Sequence, residues 1–307
     1  MERYDLVIIG TGAAGLSAAL YAGRYTLKTL VIGKEFGGET STAWTIENYP
    51  GHLSVDGYDL MKIMEEQAQR SGAEVKEGNV VSLKKNGEFT VTLADGSSVV
   101  SRALIFASGA SRRHLNVPGE KELLGKGVHY CFTCDGPLYG GKRVAVVGGG
   151  DSSVKAVNFL SEYASHVSLI TIEKALRAEP VNIARMEALG DKARVLYETR
   201  VAEFVGKDRL EFARLSGPSG TNDFAVDGVF LEIGFEPSRE LPMQLGVALD
   251  EQGYIRTDNG MRTNIPGVFG AGDATNHFGS FKQDVTAAAL GAVAATSAYE
   301  HIRITNP

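Results

Sequence analysis

A chain of 307 residues, 43% hydrophobic and 22% charged, is long enough for two domains of ordinary size and has globular composition. That composition excludes a disordered chain, and no apolar run approaches the length needed to cross a bilayer. A formal net charge of -6 gives neither nucleic acid nor an anionic membrane surface a reason to bind, so neither is expected as a partner.

The opening MERYDLVIIG runs straight into an apolar strand, which leaves no room for a leader's charged and long apolar regions, and a cytoplasmic location is expected. One close cysteine pair, with no scattered framework, agrees with a reducing compartment. After the strand over 4–10 comes TGAAGLSAALYAGR, small residues followed by helical periodicity, and then KTLVIG over 28–33 as the next strand. From 73 to 108 the texture changes to short alternating runs punctuated by Asn86-Gly87 and Asp95-Gly96, two hairpin signals that predict a small antiparallel insert.

Residues 142–163, KRVAVVGGGDSSVKAVNFLSEY, repeat the opening grammar of strand, glycines and helix, with HVSLITI over 166–172 as the second strand. A further β-rich, Gly-punctuated stretch covers 194–234. The tail from about 241 gives a strand ending in GVFGAGD and the helical QDVTAAALGAVAATSAYEHI, apolar on most sides and expected to be buried. The predicted class is α/β, with two Rossmann-like three-layer dinucleotide-binding domains and small antiparallel β inserts.

Gly10-Thr11-Gly12-Ala13-Ala14-Gly15 fits G-x-G-x-x-G in the strand-to-helix context the motif requires. The first glycine makes the turn, the second lets backbone approach a pyrophosphate, and the third packs helix on strand. A tight turn with no ligand is the competing reading. The acid that would close the second strand on a ribose hydroxyl is displaced here to Gly33-Lys34-Glu35, leaving Glu35 as the candidate. Gly148-Gly149-Gly150-Asp151-Ser152-Ser153 is a looser second version, with Ser153 small enough for close helix packing and Lys155 one helical step on. Ligand site and plain scaffold stand level for it.

Both cysteines lie in YCFTCDG, as Cys131 and Cys134. Structural zinc needs four ligands, no second pair exists, and His114 and His129 are not at ligand spacing, so no metal is expected. C-x-x-C beside a strand-Gly-helix unit more often cycles between dithiol and disulfide. Asp135 follows directly and suits a proton carrier for the thiolate chemistry. A turn cap before Gly136-Pro137 is the competing use, placed behind catalysis, and the two can coexist.

The order of these units resembles the low-molecular-weight thioredoxin reductase family of flavoproteins over essentially the whole chain. The most specific stretches are YCFTCDG, GGETSTAWTIENYPG at 37–51, PGVFGAGDA at 266–274 and FKQDVTAAALGA at 281–292. The resemblance implies a discontinuous FAD-binding domain, 1–112 with 241–307, and a smaller NAD(P)H-type domain, 113–240, that carries the redox disulfide.

It further implies that Gly10, Gly12, Ala13, Ala14, Gly15, Glu35, Gly38, Asn48, Ala107, Gly109, Gly272, Asp273, Lys282 and Gln283 surround FAD. Cys134 would face the flavin, Cys131 would attack the disulfide of thioredoxin or a thioredoxin-like protein, and Asp135 would serve as acid/base. A homodimer is implied as well. Trp44 and His277 flank the implied flavin stretches, where either could stack or simply pack.

The departures from the family concern the electron donor. A nicotinamide nucleotide, if bound, would meet Gly148, Gly150, Asp151, Ser152, Ser153, Glu173 and Arg177. NADPH-using members end the second strand there in His-Arg-Arg, followed by a further Arg. Here Thr171, Ile172 and Glu173 replace the cluster and only Arg177 matches. Losing two cations and placing a carboxylate near a phosphate costs about 1 kcal/mol per contact in water and more when buried. A few such contacts amount to roughly a hundredfold in affinity.

NADPH is therefore disfavoured, and NADH, held by Glu173, or ferredoxin is expected instead. Glu39 also stands where the family has Gln. Two other functions compete: a flavin-dependent dithiol oxidase using oxygen, and a flavin-binding regulatory protein that turns nothing over.

Overall fold

The structure, a computed structural model, describes every residue except Trp44, Ser219, Ser280, Asn306 and Pro307, so the reading of Trp44 lies outside the described residues. The chain forms two compact units, Met1–Ser111 with Glu236–Pro307, and Arg112–Phe235. The two crossing segments, Ala110–Arg112 and Phe235–Pro237, pair as a two-stranded sheet.

In the first unit the strand Glu2–Ile9 pairs in parallel with Thr29–Gly33 on one side and Ser98–Phe106 on the other. Its last four residues are all buried, and alternate side chains enter opposite faces, as in a strand covered on both sides. Leu6 and Ile8 enter the core beneath the helices Ala13–Arg24, Gly57–Arg70 and Asp284–Thr305, while Val7 and Ile9 enter a second core with Phe89, Val91 and Phe106.

The two hairpins form where the Gly signals stand, between Val80–Asn86, Glu88–Leu93 and Ser98–Phe106. They are not a separate insert. Ser98–Phe106 is nine residues long; its first residues pair antiparallel with Glu88–Leu93 while its last three pair in parallel with Val268–Gly270. The hairpins therefore extend the main sheet.

The tail helix Asp284–Thr305 is buried along one stripe through Ala287, Leu290, Ala294, Ala298 and Ile302, with Val285 and Val293 exposed. Its alanines made every side look apolar in sequence, although alanine tolerates water well enough to occupy the outer face. Gly291 allows the close approach to Ala13–Arg24: a Cβ there would lie 2.0 Å from the Ala14 carbonyl oxygen.

The second unit has a five-stranded parallel sheet in the order Val128–His129, Gly228–Leu231, Arg143–Val147, His166–Ile170, Ala193–Leu196. The helix Asp151–Leu160 covers one face through Val154, Val157 and Leu160. A three-stranded antiparallel sheet, Arg200–Gly206, Leu210–Gly217 and Gly220–Ala225, covers the other through Phe204, Ala213 and Leu215. Both units thus show the layered, strand-Gly-helix plan that the sequence predicts. Among the described residues no helix is long and apolar enough to cross a membrane.

Candidate active site

The first glycine turn is built by backbone contact. Gly10 has φ +119, and a Cβ on it would fall 2.1 Å from the Ala107 carbonyl oxygen; a Cβ on Gly15 would fall 1.9 Å from the Gly10 carbonyl. Gly12 differs, because its ideal Cβ meets nothing nearer than the Gly37 carbonyl oxygen at 3.7 Å. Gly38, φ +57, lies with its ideal Cβ 3.6 Å from the Gly12 Cα, and Gly109 opens onto free space.

Gly12 caps the helix Ala13–Arg24 without a side-chain hydrogen bond, and the first helical turn contains no acid. The leading N–H groups of a 12-residue helix are therefore left for an anion, and the glycines give it backbone-close room. These residues fit a phosphate-bearing cofactor.

Around that turn, Asn48 Nδ2 donates to Gln283 Oε1 at 2.9 Å, and Thr40 Oγ1 donates to Asp284 Oδ1 at 2.5 Å. Gly272, φ +64, brings Asp273 against this region; its ideal Cβ would be 2.7 Å from Ala14 Cβ. Burial holds the Asp273 carboxyl above the usual range, with Lys282 opposing and Asp284 adding to the effect. Lys282 is turned inward, donating to the Thr275 carbonyl and lying 4.1 Å from the Tyr254 ring centroid, and burial lowers its ammonium.

Glu35 contributes its carbonyl, which accepts from Thr11 Oγ1 at 2.7 Å, while its carboxylate is exposed beside Lys34. His277 packs edge-on against Phe278.

In the second unit Gly148 again makes the backbone approach, its ideal Cβ 2.2 Å from the Glu232 carbonyl oxygen. Ser153 Oγ accepts from Gly150 N–H at 3.2 Å and donates to the Glu232 carbonyl at 3.3 Å, and Ser152 is exposed. Asp151 accepts from Glu179 N–H at 2.9 Å, Asn182 Nδ2 at 3.0 Å and Lys155 Nζ at 2.7 Å. Burial alone would raise its carboxyl, but these donors more than offset burial and hold it low.

The segment after His166–Ile170 folds back on the turn. Arg177 N–H donates to the Gly149 carbonyl at 2.8 Å, and the Arg177 guanidinium pairs with Glu173. A Cβ at Gly149 would stand 2.5 Å from Thr171 Oγ1 and 3.1 Å from Glu173 Cγ, and Ile172 is 71% exposed. The cation that matches the family's clamp is thus engaged by Glu173, while the neighbouring Lys174 is exposed, 3.8 Å from Glu198.

Cys131 and Cys134 are joined as a disulfide with Cα atoms 5.3 Å apart. The short helix Phe132–Asp135 aims two donors at one sulfur: Cys134 N–H and Thr133 Oγ1 both lie 3.2 Å from Cys131 Sγ. On reduction those donors favour the thiolate on Cys131.

Asp135 Oδ2 is 2.9 Å from His129 Nδ1, and His129 Nε2 is 2.7 Å from Tyr139 Oη. From the sequence His129 enters only as a metal-ligand candidate, and nothing there singles out Tyr139. The available signal was position, with one residue two places before the first cysteine and the other just beyond the turn. Among the described residues no group of three or more His, Cys, Asp or Glu gathers as a metal site.

Tyr130, next to Cys131, is anchored separately. Arg112 donates to its carbonyl, and its hydroxyl donates to Glu120, which is 3% exposed and also accepts from the backbone N–H groups of Leu115 (3.1 Å) and Asn116 (2.6 Å). Burial would raise the Glu120 carboxyl, but these hydrogen bonds outweigh it and lower it. A carboxyl lowered on folding contributes stability that is present above its ordinary value of 4.5 and lost as pH falls through the lowered one. E120Q is therefore expected to cost about 2 kcal/mol at pH 7 and to flatten the loss of stability in acid. Urea midpoints at pH 7 and pH 4 check this.

This disulfide, set in a parallel α/β unit and accompanied by a phosphate-ready glycine turn in the other unit, defines a class. The chain belongs to the pyridine nucleotide-disulphide oxidoreductase family, whose sequence model matches residues 4–295. Within it the chain is of the low-molecular-weight thioredoxin reductase type, an enzyme class that implies flavin binding. It is 36% identical to the thioredoxin reductase of Coxiella burnetii over 98% of this chain and 97% of that protein.

The solved thioredoxin reductase of Lactococcus lactis superposes with a TM-score of 0.93 at 33% identity, over 98% of this chain and 99% of the other. A ferredoxin-flavin thioredoxin reductase from Clostridium acetobutylicum superposes at 0.54 with 29% identity, over 99% of each chain.

Proposed function

We propose that the unit containing Met1–Ser111 and Glu236–Pro307 holds FAD, and that the Cys131–Cys134 pair passes electrons to thioredoxin or a thioredoxin-like protein. The donor is reduced ferredoxin, not NADPH. Support for the cofactor site comes from the uncapped, acid-free start of Ala13–Arg24 behind Gly12. Gly10, Gly12, Ala13, Ala14, Gly15 and Gly38 would take the pyrophosphate, Asp273 the ribityl region, and Asn48 with Gln283 the ring. Bound there, FAD would supply the two-electron chemistry that reduces the disulfide.

The exchange itself falls to this chain's side chains. Cys131 thiolate, favoured by Thr133 Oγ1 and Cys134 N–H, attacks one sulfur of the partner disulfide, and the departing partner thiolate takes a proton from solvent. Asp135 carboxylate then removes the Cys134 thiol proton. Cys134 thiolate attacks Cys131 sulfur, the mixed disulfide breaks, and the second partner thiolate takes that proton from Asp135. Two electrons leave the Cys131–Cys134 pair, which is again a disulfide, and the partner is a dithiol.

The observation that carries the choice of donor is the Glu173–Arg177 pair with Ile172 exposed beside it. A 2′-phosphate would meet an Arg177 already paired with Glu173, with Lys174 beside Glu198 as the other nearby cation, and a ribose hydroxyl would meet an acid already engaged. The similarity to a protein named for ferredoxin adds weight. Anaerobic titration of the flavin absorbance with NADPH, NADH and reduced ferredoxin tests the proposal. Bleaching by ferredoxin alone is expected. Stoichiometric bleaching by NADPH at micromolar concentration would overturn it, and oxygen consumption with a dithiol but no reduction of thioredoxin would favour the oxidase.

A further inference from the structure

Asp135 is not alone. His129 ends the edge strand Val128–His129, in register with Phe230 on the neighbouring strand, and its ring stacks on Phe230 at 5.3 Å with 25° between planes. It is 5% exposed, whereas the Asp135 side chain is 35% exposed. Nδ1 faces the Asp135 carboxylate at 2.9 Å and Nε2 faces Tyr139 Oη at 2.7 Å. Tyr139 reaches this point because residue 228 is glycine: a Cβ there would lie 2.3 Å from Tyr139 Cε1.

The hydrogen bonds fix one tautomer. Burial, with the carboxylates of Asp135 and Asp227, pushes the Tyr139 hydroxyl up to about 12, so it is a phenol at neutral pH and donates to Nε2. The remaining ring proton is then on Nδ1 and points at Asp135. The opposite tautomer would set an imidazole lone pair against a carboxylate. Among the described residues, the titratable groups in these contacts are Asp135 and Tyr139, with Asp227 acting on Tyr139.

We propose that His129, held in one tautomer by Tyr139, is the positioning residue for Asp135, fixing the rotamer of the carboxylate as it takes the Cys134 thiol proton. The inference rests on the reading of Asp135 as proton carrier. His129 touches no reacting sulfur in this role. It acts as the histidine-orienting carboxylate does in other relays, with the parts exchanged. A purely structural histidine would pack on Phe230 equally well but would leave the pH dependence of the exchange unchanged.

The test is a single turnover. Flavoenzyme reduced chemically to the dithiol is mixed with thioredoxin disulfide, and the rate of thioredoxin reduction is followed from pH 5.5 to 8.5. H129L is expected to be slowed about tenfold at pH 6, with the acid limb displaced upward and the rate recovering toward wild type at pH 8. H129Q, whose amide can donate to Asp135 and accept from Tyr139, should keep most of the rate. Y139F should show the same displacement in milder form, and it carries the test should H129L fail to fold.

D135N separates the two layers of argument. If D135N is slow while H129L and Y139F follow the wild-type profile, His129 is structural and the proposal is overturned while the role of Asp135 stands. If D135N transfers at the wild-type rate, the reading of Asp135 and the proposal fall together.

Discussion

Serine in place of Cys134 is expected to lower the turnover of thioredoxin disulfide by at least about a thousandfold while leaving flavin content and fold unchanged. The size follows from the chemistry. C134S can still form a mixed disulfide through Cys131, but it has no second thiol to resolve it, so each enzyme stops after one attack. C131S removes the sulfur that receives the Thr133 and Cys134 hydrogen bonds, and with it the favoured thiolate. Steady-state assay checks the loss, and thiol titration after reduction verifies the variants, since wild type exposes two thiols and each variant one. Turnover within tenfold of wild type for either variant would overturn the assignment of the exchange to this cysteine pair.

The second large effect lies in the fold that supports the first glycine turn. G291A is expected to destabilise the first unit by about 3 kcal/mol and to lower its melting midpoint by roughly 6 to 12 °C. The added methyl group would stand 2.0 Å from the Ala14 carbonyl, a backbone atom that cannot swing aside as a side chain can. The strain has to be relieved by separating Asp284–Thr305 from Ala13–Arg24. That second helix begins at the glycine turn, so flavin retention should fall with stability. A289S, on the exposed side of the same helix, should stay within about 0.5 kcal/mol of wild type. Thermal melts read together with flavin release settle both.

Local chemistry was legible and long-range pairing was not. Gly10 and Gly148 announced the two strand-to-helix turns because no other residue suits φ +119 or +150 against a carbonyl 2 Å away, and Asn86-Gly87 announced its hairpin. Whether that hairpin stood apart or joined the main sheet depended on Ser98–Phe106 sharing one edge between two partners, which no periodicity encodes. The cysteines and Asp135 could be read from adjacency alone.

His129 could not, because its significance depends on Gly228, ninety-nine residues away, leaving room for Tyr139 to set its tautomer. Lys282 is implied by the resemblance to lie beside FAD, but its inward turn to Thr275 and Tyr254 is a choice made by tertiary packing.

Where the chain returns to its first sheet governs the order in which it can be built. Val268–Gly270 and Asp284–Thr305 complete a unit begun at Glu2, and all of Arg112–Phe235 is synthesised in between. On the ribosome the inner unit can therefore close while the outer one still lacks a strand and its longest helix. Gly10 to Gly15 emerge among the earliest residues but receive their backing from Gly291 and Gly272 only when translation is nearly finished. With the cofactor at the site proposed above, its capture is expected late in the life of the nascent chain, and truncation near the end should leave a folded disulfide unit attached to an open, flavin-free one.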